Sequence, residues 1–412
     1  MHITYLHQYF VKPEQNGGSR TYEMTKRLVR AGHRVDVITS DRALRRSGRK
    51  TWRVEDVNGA RVHYYPVPYD QKMGVMRRLV AFLEFAVVSS FRARKLNSDL
   101  VFATSTPLTI GIPGLIAVLG RRSPFVFEVR DLWPAIPIAM GALKNPIMRA
   151  AAVWLEKTIY RRADAIVALS PEMKAGVVET GYSEDRVSVI PNGSDLDTFA
   201  DADTQGAELI DSRPEFYGKK LAVYCGTFGP AKYVRYIIDL ADRVRSIDDT
   251  ILFYLVGEGP EKDELVELAA KRSLLNSTVY FDPGVPKENV CGIFGAATIN
   301  ISTVADIPGL AGNSANKVFD SFAAGRPIAI NHGGWQAEIL ERSGAGVVLS
   351  PEASDADARR FVEFVNDEAG MARARRSAKN LAETEFARDN LAAKLIDVFD
   401  DVLSSNEVRS SR

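Results

Sequence analysis

Residues 220–232 read KLAVYCGTFGPAK. An apolar run from Leu221 to Tyr224 stops at Gly226, a second glycine follows at Gly229, and Lys232 closes the loop. A short apolar run bounded by glycines suits a strand buried on both faces, leading through a tight loop into a helix. The position of this stretch matters as much as its content, because the chain has already run through the same pattern once. Ile3-Thr4-Tyr5-Leu6 is the earlier apolar run, PEQNGGSRTYEM (13–24) the glycine segment, and Tyr22–Val29 the amphipathic stretch behind it. Two strand–glycine loop–helix openings, over two hundred residues apart, predict two α/β units.

The rest of the chain fits that division. Strands are expected at 2–6, 35–39, 61–66, 100–103, 124–129, 165–169 and 187–190, with helices near 20–31, 76–96, 108–119, 146–162 and 171–180. Strand–helix alternation predicts a doubly wound sheet. Pro191-Asn192-Gly193-Ser194-Asp195 is a turn cluster, and the polar stretch 200–215, with few large apolar residues, reads as a linker. A second series follows, with strands near 221–225, 251–256, 278–281, 298–302, 327–331 and 346–349. Domains are therefore expected at 1–200 and 201–385. A final helical segment, 386–412, is expected to pack back on the first domain through Leu391, Leu395, Val398, Phe399 and Leu403.

With 412 residues, 46% hydrophobic and 25% charged, the chain is an ordinary globular one and long for a single core. Two cysteines, Cys225 and Cys291, are too few for a disulfide scaffold and favour a reducing compartment. No charged-then-apolar start marks a signal peptide, and the most apolar long stretch, 79–91, is too short to span a bilayer. The net charge of +1 conceals an asymmetry: 29 basic against 19 acidic residues in the first 200, and 24 against 33 in the remaining 212. Much of the excess falls on Arg42, Arg45, Arg46, Arg49, Lys50, Arg53, Lys72, Arg77, Arg78, Arg92, Arg94 and Lys95. Such a surface suits anionic lipid headgroups or an anionic acceptor, the bland alternative being solvated loops. Nucleic acid is not expected, since no recognition module accompanies the charge.

Several loops carry chemistry. Gly17 and Gly18, ahead of a helix start, let backbone amides approach an anion, most simply a phosphate. The third glycine of a dinucleotide fingerprint is missing. Gly226, Gly229 and Lys232 repeat the arrangement without the ending of a Walker loop. Gly257 and Gly259, then Pro283 and Gly284, sit where further strands end. The densest segment, 309–327, sends a Gly/Asn/Ser loop into a helix bearing Lys317 and Asp320, three apart on one face. A plain ion pair between these two is the bland alternative. Asp195-Leu196-Asp197 spells a D-x-D metal motif but lies in the linker, and the five histidines show no metal spacing.

In this order the motifs resemble the glycosyltransferases of family 4, retaining nucleotide-sugar enzymes of the GT-B fold. They are Asn16-Gly17-Gly18, EVRDLWP (128–134), PNGSD (191–195), GTFGPAK (226–232), VGEG (256–259), NKVFDSFAAGRP (316–327) and HGGWQAE (332–338). EVRDLWP is most similar to the branch that builds bacterial O-antigen and capsular polysaccharide from N-acetylated, often deoxy, hexoses. The resemblance implies two Rossmann-like domains facing an interdomain cleft and a nucleotide-sugar donor, expected to be UDP-linked, with no cofactor and no metal. It implies a hydroxyl acceptor, expected on a lipid-linked glycan, and a cytoplasmic enzyme peripheral to the inner face of the plasma membrane.

By position, the resemblance places Gly17, Gly18 and Lys232 on the donor diphosphate and Asp320 on the ribose. It puts Arg130 and Asp131 near the transferred sugar, with a helix cap before Leu132-Trp133-Pro134 as the bland role for Asp131. The first glutamate of the family's E-x7-E element falls at Gly312. Asn313, Ser314, Asn316 or backbone amides are expected in its place. The arginine that often partners the lysine falls at Thr227, so Lys317, Arg20 or Arg130 is expected to supply the charge. The alternatives are a UDP-sugar 2-epimerase of the same fold, a two-domain sugar-binding protein and a non-catalytic nucleotide-sugar-binding homologue.

Overall fold

The computed structural model describes residues 1–15, 17–41, 51–67 and 73–410. Asn16 and the basic residues Arg42, Arg45, Arg46, Arg49, Lys50 and Lys72 lie outside the described residues. The chain divides into two compact units. The first comprises Met1–Lys12, Ser19–Pro191 and Leu391–Arg412, and the second Pro13–Gly18 and Asn192–Asn390.

The first unit holds strands β1 (His2–Leu6), β2 (Arg34–Ser40), β3 (Arg53–Val57), β4 (Ala60–Tyr65), β5 (Leu100–Thr104), β6 (Phe125–Val129), β7 (Ala165–Ala168) and β8 (Val187–Val189). Its helices are α1 (Arg20–Arg30), α2 (Val75–Leu96), α3 (Gly111–Val118), α4 (Ala135–Ala139), α5 (Pro146–Arg162) and α6 (Pro171–Glu179). The sheet runs β3-β4-β2-β1-β5-β6-β7-β8, parallel but for β3. Strand order reverses at β1, whose Ile3 lies between Val35 of β2 and Leu100 of β5. Strand β4 matches the strand expected at 61–66, whereas β3, which pairs with it as a hairpin, is absent from the expected strands. The hairpin's turn is Asn58-Gly59, both with positive φ (52° and 84°), the pairing that a two-residue hairpin demands.

Helix starts follow local chemistry. The Asn145 side chain accepts from the amides of Ile147 and Met148 ahead of Pro146, and Ser170 accepts from Met173 ahead of Pro171. Apolar residues of α2, α3, α5 and α6 share one core with the sheet, including Phe85, Ala117, Ile159 and Val177. Helix α1 and the last helix, α15 (Arg388–Ser410), supply the other core. There Leu391, Leu395 and Phe399 pack among Ile3, Tyr5 and Phe102, with the Phe399 and Phe102 rings 5.1 Å apart.

The second unit contains β9 (Lys220–Cys225), β10 (Ile251–Val256), β11 (Val279–Asp282), β12 (Ile299–Ser302), β13 (Ile328–Ile330) and β14 (Gly346–Val348). The order is β11-β10-β9-β12-β13-β14, all parallel, reversing at β9. Its helices are α7 (Ala202–Asp211), α8 (Arg235–Val244), α9 (Lys262–Lys271), α10 (Val290–Gly295), α11 (Asn316–Ala323), α12 (Trp335–Ser343), α13 (Asp355–Asn366) and α14 (Glu368–Thr384).

Helix α7 overturns the linker expected at 200–215. The scarcity of large apolar residues there is a packing device. A Cβ on Gly206 would lie 2.3 Å from the carbonyl carbon of Gly295, and one on Gly295 would lie 1.9 Å from the Ala202 oxygen. Helices α7 and α10 therefore touch backbone to backbone, and only small residues permit that approach. Among the described residues, no helix is long and apolar enough to cross a membrane.

Candidate active site

In an open α/β sheet, ligands bind beyond the carboxyl ends of the strands where strand order reverses. In the second unit that point is the end of β9. Gly226 follows it immediately, and the side chain of Lys317, from the first turn of α11, covers this glycine. A Cβ on Gly226 would sit 2.8 Å from Lys317 Nζ. The ammonium also lies 4.6 Å from the centroid of the Tyr224 ring. Burial, and then the like charge of Lys232, pull the Lys317 pKa down to about 7, although part of the side chain remains accessible. Lys232 closes the short turn that Gly229 opens, its amide donating to the Gly229 carbonyl at 2.8 Å. Thr303, just beyond β12, donates to the Lys232 carbonyl at 2.6 Å and ties the loop to the next strand.

Lys317 and the turn that carries Lys232 thus lie where the sheet order switches, close enough for one charge to act on the other. The start of α11 lies beside them with no side chain capping its amides. This is a cationic cradle suited to a diphosphate. Asp320, one turn along α11, is buried and does not pair with Lys317. It binds Lys287 at 2.6 Å. Lys287 was missed in the sequence because nothing in PGVPKEN announces a charge partner thirty-three residues away. The neighbouring Cys225 thiol is pushed up to about 11 by burial. Both cysteines are free thiols.

Other expected donor residues have structural duties. Gly257 and Gly259 are packing positions. A Cβ on Gly257 would be 1.9 Å from the Gly226 oxygen, and one on Gly259 2.0 Å from the Phe228 oxygen. Their lack of a side chain lets the β9 loop pack against them. The Ser314 hydroxyl accepts the Asn192 amide at 3.0 Å, and the Ser314 carbonyl accepts from the Asn192 side chain at 2.7 Å. Its oxygen thus anchors the 191–195 turn. Asn313 donates to the Leu310 carbonyl at 2.7 Å, while its own carbonyl receives the Trp335 indole N–H at 3.0 Å. Its side-chain oxygen is buried with no partner. Asn316 opens α11, and Pro283 and Gly284 follow β11. Gly17 takes φ 148°, a conformation that favours glycine, and Gly18 follows it just ahead of α1. Asp195 is buried and Asp197 exposed.

The first unit has its own switch point, at β1 and β5. His7 follows β1, Ser105 follows β5 and Arg130 follows β6. The Arg130 amide donates to Ser105 Oγ at 2.9 Å, and its guanidinium reaches His7 Nε2 at 3.2 Å. Burial, then the Arg130 charge, hold His7 well below the usual imidazole range. A neutral ring that accepts at Nε2 carries its proton on Nδ1, which donates to Thr21 Oγ1 at 2.8 Å. His7 therefore fixes the Arg130 guanidinium. Sequence reasoning did not single out His7, although its place directly after β1 is the signal that would have found it. Asp131 is exposed and accepts from Thr106 at 3.0 Å. Helix α4 starts after Pro134 with no side-chain cap, so the capping role does not apply.

Arg20, expected on the donor, is not free for it. Its side chain is fully buried. It donates to Glu128 at 2.8 and 3.1 Å and to the carbonyls of Pro191 and Ile190 at 2.6 and 2.9 Å. Thr104 occupies the other Glu128 oxygen at 2.5 Å. The guanidinium is an internal strut that neutralises a buried carboxylate.

Two sheets, one parallel throughout and one parallel but for an edge strand, each with polar groups gathered at its reversal point, define the class: two Rossmann-like units. The chain belongs to the glycosyltransferases of the GT-B fold, its residues 17–193 matching the glycosyl transferase 4-like domain and 207–382 the glycosyl transferases group 1. It is 28% identical over 286 residues to the putative colanic acid biosynthesis glycosyl transferase WcaI of Escherichia coli K12, covering 65% of this chain and 69% of that one. Its fold is similar to the sucrose-phosphate synthase of Thermosynechococcus elongatus (TM-score 0.76, 16% identity, 98% and 99% of the two chains). It is also similar to HepE of Anabaena, solved with UDP-glucose (TM-score 0.72, 18% identity, 98% and 100%). A third similar fold is WaaG, a glycosyltransferase involved in lipopolysaccharide biosynthesis (TM-score 0.67, 15% identity, 96% and 99%).

Proposed function

We propose that this enzyme moves a sugar, an N-acetylated or deoxy hexose, from a UDP-linked donor to a hydroxyl of a lipid-linked glycan. The transfer retains the anomeric configuration, needs no metal, and serves cell-surface polysaccharide assembly on the cytoplasmic side. The observation that carries this reading is Lys317 lying over Gly226 at the end of β9, within reach of the charge of Lys232. Breaking the glycosidic bond leaves negative charge on the departing diphosphate, and preorganised cations there lower the barrier most. The Lys232 cation and Lys317, whose hold on its proton is weakened by burial, both gain from that charge. The leaving phosphate oxygen then takes the acceptor hydroxyl's proton, so no carboxylate nucleophile is required. Asp320 serves the ribose in this scheme, once the diol displaces or joins Lys287. The likeness to WcaI and WaaG supports the polysaccharide assignment, and the UDP-glucose in HepE supports the nucleotide.

The test is a panel of nucleotide sugars read by melting temperature, then nucleotide release with and without glycan acceptors. Stabilisation by one UDP-sugar and acceptor-dependent release support the reading. Acceptor-free conversion of the sugar would assign a 2-epimerase, and binding without turnover a non-catalytic homologue.

A further inference from the structure

Helix α2 is apolar on two opposite sides. One side, with Ala81, Phe85, Ala86 and Ala93, is buried against the sheet. The other carries Met76, Val80, Leu83, Val87 and Phe91, at spacings of three and four, which place all five on one stripe of the helix. These side chains are 45% exposed at Leu83 and up to 68% exposed at Phe91. A surface helix of a water-soluble unit is ordinarily polar on its outward face, and a contiguous exposed apolar strip marks an interaction site. Neighbouring helices add further exposed apolar side chains. Helix α3 packs beside α2 and also contacts α5. Leu119, just past α3, is 67% exposed, and α5 adds Ile147 at 78% and Trp154 at 67%.

Charge around the strip decides what covers it. Between residues 73 and 122 the chain has two carboxylates (Glu84, Asp99) and seven cations, of which Arg92 is turned onto His63 at 2.7 Å and Arg77, Arg78, Arg94, Lys95, Arg121 and Arg122 remain. Arg94 donates to the carbonyls of Ile116 and Leu119 at 3.0 and 2.8 Å, so its charge is held at the edge of the strip. Helix α5 adds Arg149, Lys157, Arg161 and Arg162 against Glu156 alone, which is buried. A second copy of this chain would bring the same cations face to face with these. An anionic bilayer offers headgroups to the cations and acyl chains to the apolar side chains. Arginine and tryptophan suit that boundary, since each joins an apolar body to a polar tip.

We propose that the α2–α3–α5 face of the first unit docks on an anionic lipid surface, with the Met76–Phe91 stripe entering the acyl boundary. The flanking arginines meet the headgroups. The helix lies on the membrane and does not span it. This gives the proposed lipid-linked acceptor a surface to arrive on, yet it stands or falls on vesicle binding and not on sugar transfer.

The test is co-flotation of the full chain with phosphatidylcholine vesicles, with and without phosphatidylglycerol, at low and high salt. Wild type is expected to float with the anionic vesicles and to keep part of that binding at high salt, because the apolar contribution is not screened. A triple variant, Val80→Ser, Val87→Ser and Phe91→Ser, should lose about tenfold or more in partitioning, with the melting temperature of the vesicle-free protein unchanged as a folding control. Arg77→Gln with Arg78→Gln should weaken binding to the anionic vesicles alone, about fivefold per charge. Trp154 fluorescence should shift to the blue on vesicle addition, and the shift should vanish in Trp154→Phe. Wild type that does not float, or a serine variant that floats as well as wild type, would overturn the proposal. So would a concentration-dependent dimer dissolved by the serine variant, which would assign the strip to a second copy.

Discussion

The two units end their sheets in the same way and arm those ends differently. In the first, Arg130 is held by a neutral histidine and a serine, so one cation stands at the crest in a fixed pose. In the second, the like charge of Lys232 bears on Lys317, which lies over Gly226, and the nearby acid, Asp320, is engaged by Lys287. The first crest is a positioning device complete in itself. The second carries electrostatic strain that an incoming dianion would relieve. A shared fold therefore says where chemistry sits, and the local charge balance says which part of it.

Arg20 gives the largest expected effect and separates a strut from a ligand. Arg20→Met leaves Glu128 buried and unpaired, which costs about 3–5 kcal/mol of stability. Chemical denaturation should show that loss, and a variant as stable as wild type with weakened donor binding would return Arg20 to the site. Next is Lys232→Ala, expected to cost about 2.7–4 kcal/mol of transition-state stabilisation, or roughly a hundred- to a thousandfold in kcat. Steady-state kinetics check it, and near-normal turnover would remove Lys232 from the diphosphate. Gly257→Ala drives a methyl group into the Gly226 carbonyl and should cost about 1–3 kcal/mol of stability. Donor affinity should fall with it, because the β9 loop moves.

The smallest effect is a pH dependence. Free Lys317 is half-protonated near pH 7, facing Lys232, Cys225, Asp320 and the Tyr224 ring. A bound diphosphate favours the ammonium and raises its pKa. The extra affinity is complete below pH 7 and is lost as the pH rises through the higher pKa of the complex. Calorimetry in buffers of different ionisation heats should detect proton uptake on donor binding above pH 7, absent in Lys317→Ala.

The skeleton was legible where strands are buried on both faces. Phe125-Val126-Phe127 and Ile251–Val256 announce themselves by continuous apolar character, and their ends were placed within a residue or two. Helix α7 was hidden because it packs through Ala202 and Gly206, and small residues look like loop in a sequence. Strand β3 has an edge position and a polar composition, and only Asn58-Gly59 betrays it. Within the site, motif positions were readable but duties were not. Gly226 and Gly257 look alike in sequence, yet one leaves room for an ammonium and the other for a carbonyl. Arg20 and Lys232 are both cations beside glycines. Only the distant Glu128 and the 190–191 carbonyls reveal that Arg20 is already spoken for.

The central claim is that the end of β9 grips the donor's diphosphate through Lys232 and Lys317. Calorimetric titration of UDP into wild type and into the Lys232→Ala, Lys317→Ala double variant tests it most directly. Charged hydrogen bonds of about 1.5–3 kcal/mol each predict an affinity at least a hundredfold weaker in the variant. Equal affinity in the two proteins, with both folded, would contradict the account.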